Sequence, residues 1–103
     1  MITIKSIEEF QLMINQPLLV VLAKTKTCNV CVPIASKLDQ LMALYPQIPY
    51  YHIYIEEVEQ FAGQHLVFTV PTVLVFADGK EILRESRFIQ FDKINRILSI
   101  YAS

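Results

Sequence analysis

Cys28 and Cys31 are the chain's two cysteines, set two residues apart in the stretch Thr25-Lys26-Thr27-Cys28-Asn29-Val30-Cys31-Val32-Pro33. Such a pair can exchange disulfides, supply half of a metal site, or survive in a fold that only binds. Residues three apart on a helix share a face, with Cβ atoms roughly 5–6 Å apart, close to what a disulfide spans. A dithiol of this kind works in two steps: one thiolate attacks a partner disulfide, and the second resolves the mixed intermediate. By position, Cys28 is the expected exposed nucleophile and Cys31 the buried resolver. A structural zinc site generally needs four ligands. Here only His52 and His65 are left to complete one, without His-x₃₋₅-His spacing, so no metal is expected.

The neighbouring polar residues each have a plain reading and a chemical one. His52, on an alternating segment, reads as a satisfied interior or edge residue, with proton transfer near Cys31 as its functional alternative. His65, at an expected helix end, reads as a solvated residue meeting the dipole. Lys24 and Lys26 are loop charges, or else cations that hold the Cys28 thiol below the free value of about 8.5. Glu56, Glu57 and Glu59 read as the charged N-terminus of a helix, and the tyrosines of Tyr50-Tyr51-His52-Ile53-Tyr54 as packing.

The frame that must position these groups is small. A chain of 103 residues, 53% hydrophobic and 18% charged, is expected to fold as one domain over residues 1–103 with a single apolar core. Nine basic and ten acidic side chains give a net charge of −1. The basic residues are scattered, unlike the clustered positive face that nucleic acid requires. No apolar leader or membrane-length run is visible. The expectation is therefore a cytoplasmic monomer with no membrane and no nucleic-acid partner. In a reducing cytosol a lone Cys-x-x-Cys is catalytic or metal-binding more often than it is a permanent staple.

Hydrophobic period divides the chain. After a short strand at Ile2–Ile4, Ser6-Ile7-Glu8-Glu9 has the form of a capping box and opens a helix over Ser6–Gln16, stopped by Pro17. Pro17–Lys24 is a continuous apolar run, the pattern of a strand covered on both faces. Ile34, Leu38, Leu41, Met42 and Tyr45 form a helical stripe that Pro46 ends. Tyr50–Glu56 is a strand, and Glu56–His65 a short helix. Pro71 to Leu83 is a hairpin turning at Asp78-Gly79, and Phe91, Ile94, Ile97, Leu98 and Tyr101 mark a last helix. Pro33 lacks an N–H in the first turns of the cysteine-bearing helix, which predicts an irregular start or a kink there. The order β-α-β-α-β-α-β-β-α predicts an α/β architecture, a central sheet with helices on both faces. Cys28 then lies where a strand's carboxyl end passes into a helix, the place where such sheets build sites.

Cys28-Asn29-Val30-Cys31 after a buried strand, Val70-Pro71-Thr72 opening a later one and Asp78-Gly79-Lys80-Glu81 at the hairpin together resemble the thioredoxin family over nearly the whole chain. The resemblance implies a thioredoxin fold, with a mixed sheet of four to five strands flanked by helices on both faces. It implies thiol–disulfide exchange through a redox-active Cys28–Cys31 disulfide with no other cofactor. The partners would be protein or low-molecular-weight disulfides and a reductase. It also implies a cis peptide before Pro71 beside the disulfide, with the Val70 backbone pairing with an extended substrate segment and Thr27, Asn29 and Val30 flanking the thiols on the substrate side. The sequence departs from the family pattern at several points. Thr27 stands where the family has Trp, Asn29-Val30 where thioredoxins proper have Gly-Pro, Leu22 where they bury an Asp, and His52 where Lys is usual. A glycine expected near Arg87 is missing. A non-catalytic module that holds extended peptides is the alternative reading of the same features.

Overall fold

The computed structural model describes residues 2–102. Nine elements follow in chain order: β1 (Thr3–Ile4), α1 (Ile7–Met13), β2 (Leu18–Lys24), α2 (Cys31–Met42), β3 (Tyr50–Tyr54), α3 (Glu59–Gln64), β4 (Thr72–Ala77), β5 (Lys80–Ser86) and α4 (Phe91–Ala102). The strands form one mixed sheet in the order β1-β3-β2-β4-β5. β1 and β2 run parallel to β3, while β4 is antiparallel to both β2 and β5.

β2 is central and all seven of its residues are buried, as its unbroken apolar run requires. Its side chains alternate between two clusters, one on each face of the sheet. Leu19, Val21 and Ala23 join Ile7 and Phe10 of α1 and Phe61 of α3. Leu18, Val20 and Leu22 join Leu38 and Met42 of α2 and Ile94 and Leu98 of α4. In the first cluster the Phe10 ring meets Phe61, His65 and Phe76 edge-on, with centroids 4.9, 5.0 and 5.6 Å apart.

Several boundaries are set by caps. Ser6 accepts a hydrogen bond from the Glu9 N–H at 3.1 Å, while the Glu9 carboxylate accepts from the Lys5 N–H rather than from Ser6. α1 ends at Met13, earlier than expected, because the Gln16 N–H turns back to the Met13 carbonyl ahead of Pro17. At the hairpin, Asp78 (φ 50°) and Gly79 (φ 83°) both adopt positive φ, the geometry of a type I′ turn. β3 stops at Tyr54 and α3 begins only at Glu59, so Glu56 and Glu57 belong to a turn. The reading of Glu56, Glu57 and Glu59 as one helix-terminal cluster is corrected accordingly.

α2 runs unbroken past Pro33 after an entry of tight i→i−3 turns, for a simple reason. α2 starts at Cys31, which makes Pro33 its third residue. The first N–H groups of an α-helix have no intrahelical acceptor, so a proline there sacrifices nothing. Among the described residues no helix is long and apolar enough to cross a membrane.

Candidate functional site at the strand–helix junction

Between the end of β2 and the start of α2 the chain winds through successive tight turns. The Cys28 N–H bonds to the Thr25 carbonyl (3.3 Å), Cys31 to Cys28 (3.2 Å) and Val32 to Asn29 (3.3 Å). This winding brings Cys28 and Cys31 to a Cα separation of 5.3 Å, and a disulfide joins them. Cys31 is 3% exposed, anchored in the first turn of α2, whereas Cys28 is half-buried and Thr27, Asn29 and Val30 are exposed. With α2 regular from Cys31 onward, its positive N-terminal end lies at the sulfurs. There it favours a thiolate once the bond is reduced.

Thr72 pairs with Ala23 across β4 and β2, so Pro71, one residue earlier, lies at the same end of the sheet as Lys24 and the loop carrying the cysteines. The Val70–Pro71 peptide is cis. Pro71 is buried, and its carbonyl accepts from the Arg87 N–H at 3.0 Å. Val70 is half-buried, and among the described residues its backbone N–H and C=O make no hydrogen bond. Arg87 has a φ of 65°. A side chain in this left-handed region costs about 1–2 kcal/mol, which accounts for the glycine that the family pattern puts nearby.

Both lysines stand differently from expectation. Lys24 is the last residue of β2, only 8% exposed, with its Nζ 5.0 Å from the centroid of the Tyr54 ring, so it is an interior strand residue and not a loop charge. Lys26 is turned toward the β3–α3 turn: its Nζ pairs with Glu57 at 2.7 Å, and its backbone N–H donates to Glu56 at 2.9 Å. The hydrogen bond and charge of Glu57 raise the Lys26 pKa, and the Lys26 amide holds the Glu56 carboxyl below its usual range. An open cleft of about 470 Å³ runs from Cys28 and Cys31 past Lys24 and Tyr54 to Asp39 on α2.

His52 is fully buried and lies beside Leu22 in the β2–β3 register, which directs it toward α2. Its Nε2 is 2.6 Å from the Tyr50 hydroxyl and 3.3 Å from Asp39, and Tyr50 donates to Asp39 at 2.5 Å. Because the single phenolic proton goes to Asp39, Nε2–H donates to Tyr50. Nδ1 is then a bare lone pair, buried with no hydrogen-bond partner. Burial, and secondarily the Lys24 charge, lower the His52 pKa. Burial followed by Asp39 raises that of Tyr50. His65 caps α3 and is half-buried: its ring packs on Phe10, Phe61 and Phe76, and burial lowers its pKa as well. Sequence reasoning missed Asp39 and Tyr50 as partners of His52. The one available signal was helical spacing, which puts Asp39 on the same face of α2 as Ala35 and Cys31.

Both histidines therefore enter the folded state neutral. The unfolded chain takes up protons first, near the ordinary histidine value of about 6.5, so stability is complete above that pH and is lost as pH falls toward the lower folded values. Thermal midpoints should fall between pH 7.5 and 5, above the range where Glu56 titrates, and His52→Gln should flatten the slope. An unchanged slope in that variant would remove His52 from the account.

A disulfide closed across the turn that leads into a helix, at the carboxyl end of a central strand, defines a protein of thiol–disulfide exchange. The family model for thioredoxin matches residues 1–99, and the chain belongs to the thioredoxin family. It is 38% identical over 78 residues to a thioredoxin-like protein of Bacillus subtilis, YdfQ, covering 72% of this chain and 70% of that one. It is 34% identical over 81 residues to Thioredoxin-1 of Saccharomyces cerevisiae, covering 78% and 79%. Among solved structures, a Plasmodium falciparum thioredoxin superposes with a TM-score of 0.86 at 19% identity, over 98% of this chain and 99% of that one. A Bacillus cereus thioredoxin-like protein superposes with a TM-score of 0.71 at 32% identity, over 89% and 95%. The sheet order, the cis-proline and the disulfide agree with that membership, and the chain is a thiol–disulfide oxidoreductase by family and site.

Proposed function

We propose that Cys28 is the attacking thiol, that Cys31 resolves, and that the Val70–Pro71 edge receives an extended disulfide-bearing segment. In the reduced protein the Cys28 thiolate attacks one sulfur of the substrate disulfide, forming a mixed disulfide and expelling the other sulfur as a thiolate. Cys31 then gives up its proton and attacks the Cys28 sulfur. The Cys28–Cys31 disulfide forms, and the second substrate thiolate leaves. Two electrons pass to the substrate, and a reductase must return them. The Cys31 proton leaves along the cleft that Lys24 and Asp39 line, and His52, whose Nε2 already carries its proton, holds Asp39 in place through Tyr50 and does not accept that proton itself.

The observation that supports this reading best is the contrast in exposure, half-buried Cys28 bonded to buried Cys31. Attack from outside can then reach only one of the two sulfurs. The unpaired backbone groups of Val70 support the substrate placement, because they can add main-chain hydrogen bonds to an extended segment. Thr27, Asn29 and Val30 complete the contact surface around the thiols. The protein acts as a cytoplasmic monomer without a metal, on protein or low-molecular-weight disulfides.

Equilibration in glutathione buffer tests the direction of electron flow. A dithiol potential near about −270 mV makes the protein a reductant, and one near about −120 mV an oxidant. Alkylating both thiols should abolish insulin reduction. Peptide binding that survives alkylation, without any turnover beforehand, would favour the non-catalytic module instead.

A further inference from the structure

Arg87 follows β5 directly, at the end of the sheet that carries Pro71. Its backbone is held there by the hydrogen bond to the Pro71 carbonyl, in a conformation that favours glycine. Its guanidinium is exposed and, among the described residues, makes no hydrogen bond or ion pair. The neighbouring cations differ in this respect: Lys24 is buried, and Lys26 is neutralised by Glu57.

The chain beside Arg87 is anchored through Arg84. Arg84 donates to the carbonyls of Leu66 (3.0 Å) and His65 (2.5 Å), which ties the loop leading to Pro71 onto β5. On that loop Phe68 is 76% exposed, and Phe88, beside Arg87, is 87% exposed. An exposed arginine is thus bonded through its backbone to Pro71, with exposed aromatic rings on the loop before that proline and at the next residue of the chain.

We propose that Arg87 is a specificity-determining residue, which selects protein disulfides carrying an acidic side chain beside the reactive cysteine. The inference rests on the substrate placement given under Proposed function. A planar guanidinium pairs with a carboxylate through two parallel hydrogen bonds, and the exposed rings supply apolar contact for the rest of the segment. The contact is formed on substrate docking, so it acts on KM more than on kcat.

The test uses three peptides, each with one disulfide, identical except for Glu, Gln or Lys on both sides of the cysteine. Reduction by the wild-type protein should show kcat/KM about two- to fivefold higher for the Glu peptide than for the Gln peptide, as expected of an exposed ion pair, with the Lys peptide lowest. Raising NaCl to about 0.5 M should erase the order. Arg87→Gly should remove the preference while relaxing the backbone, and Arg87→Glu should reverse it. Equal kcat/KM for all three peptides, or a preference that survives in Arg87→Gly, overturns the role of Arg87 and leaves the oxidoreductase reading intact. Turnover of none of the peptides overturns that reading and this inference with it.

Discussion

Replacing Cys28 by serine takes disulfide turnover to background, a loss on the order of 10³-fold or more, while the fold is retained. A hydroxyl is not ionised near neutral pH, so the helix terminus has no anion to stabilise, and the thiol that remains, Cys31, is too buried to meet a substrate in its place. Cys31→Ser behaves differently. It completes the first attack and then stops, because nothing remains to displace the substrate from Cys28, and mixed disulfides accumulate. Insulin reduction, with mass spectrometry of the trapped species, checks both outcomes. A Cys28→Ser protein that reduces insulin at the wild-type rate would refute the assigned order of attack.

The second large effect is on stability. Phe10→Ala removes the ring on which Phe61, His65 and Phe76 converge, leaving a cavity that α3 with its cap residue and β4 would have to close together. A change of this kind costs about 3–5 kcal/mol, a large share of the roughly 5–15 kcal/mol that holds a domain folded. The urea midpoint should drop sharply with its m-value unchanged. A loss below about 1 kcal/mol would mean that the aromatic cluster repacks without the ring.

What could be read from the chain was what short-range pattern encodes. The apolar run of β2, the Ser6–Glu9 cap and the Asp78-Gly79 turn each carry their cause within a few residues, and with the Cys-x-x-Cys and Pro71 they were enough to recognise the fold. The kink at Pro33 was misjudged because a proline's effect depends on which helical position it occupies, and one residue of shift separates a harmless site from a kink. Glu56 and Glu57 were drawn into α3 because a carboxylate that grips a lysine in another loop looks, in sequence, like one at a helix start. Lys24 was read as a loop charge even though it ended the covered run, because nothing local says that a strand's last lysine will lie over the Tyr54 ring. The join of His52 to Asp39 through Tyr50 spans elements that only the folded sheet brings together.

The two margins of the sheet differ from the Val70 edge. On one side β1 contributes just two residues. On the other, β5 carries Lys80, Glu81, Arg84 and Glu85, with a register irregularity in β4 opposite. Short or charged margins discourage a second chain from extending the ladder. Concentrated solutions should therefore resist fibril growth, because neither rim of the sheet offers a long apolar edge to a second chain.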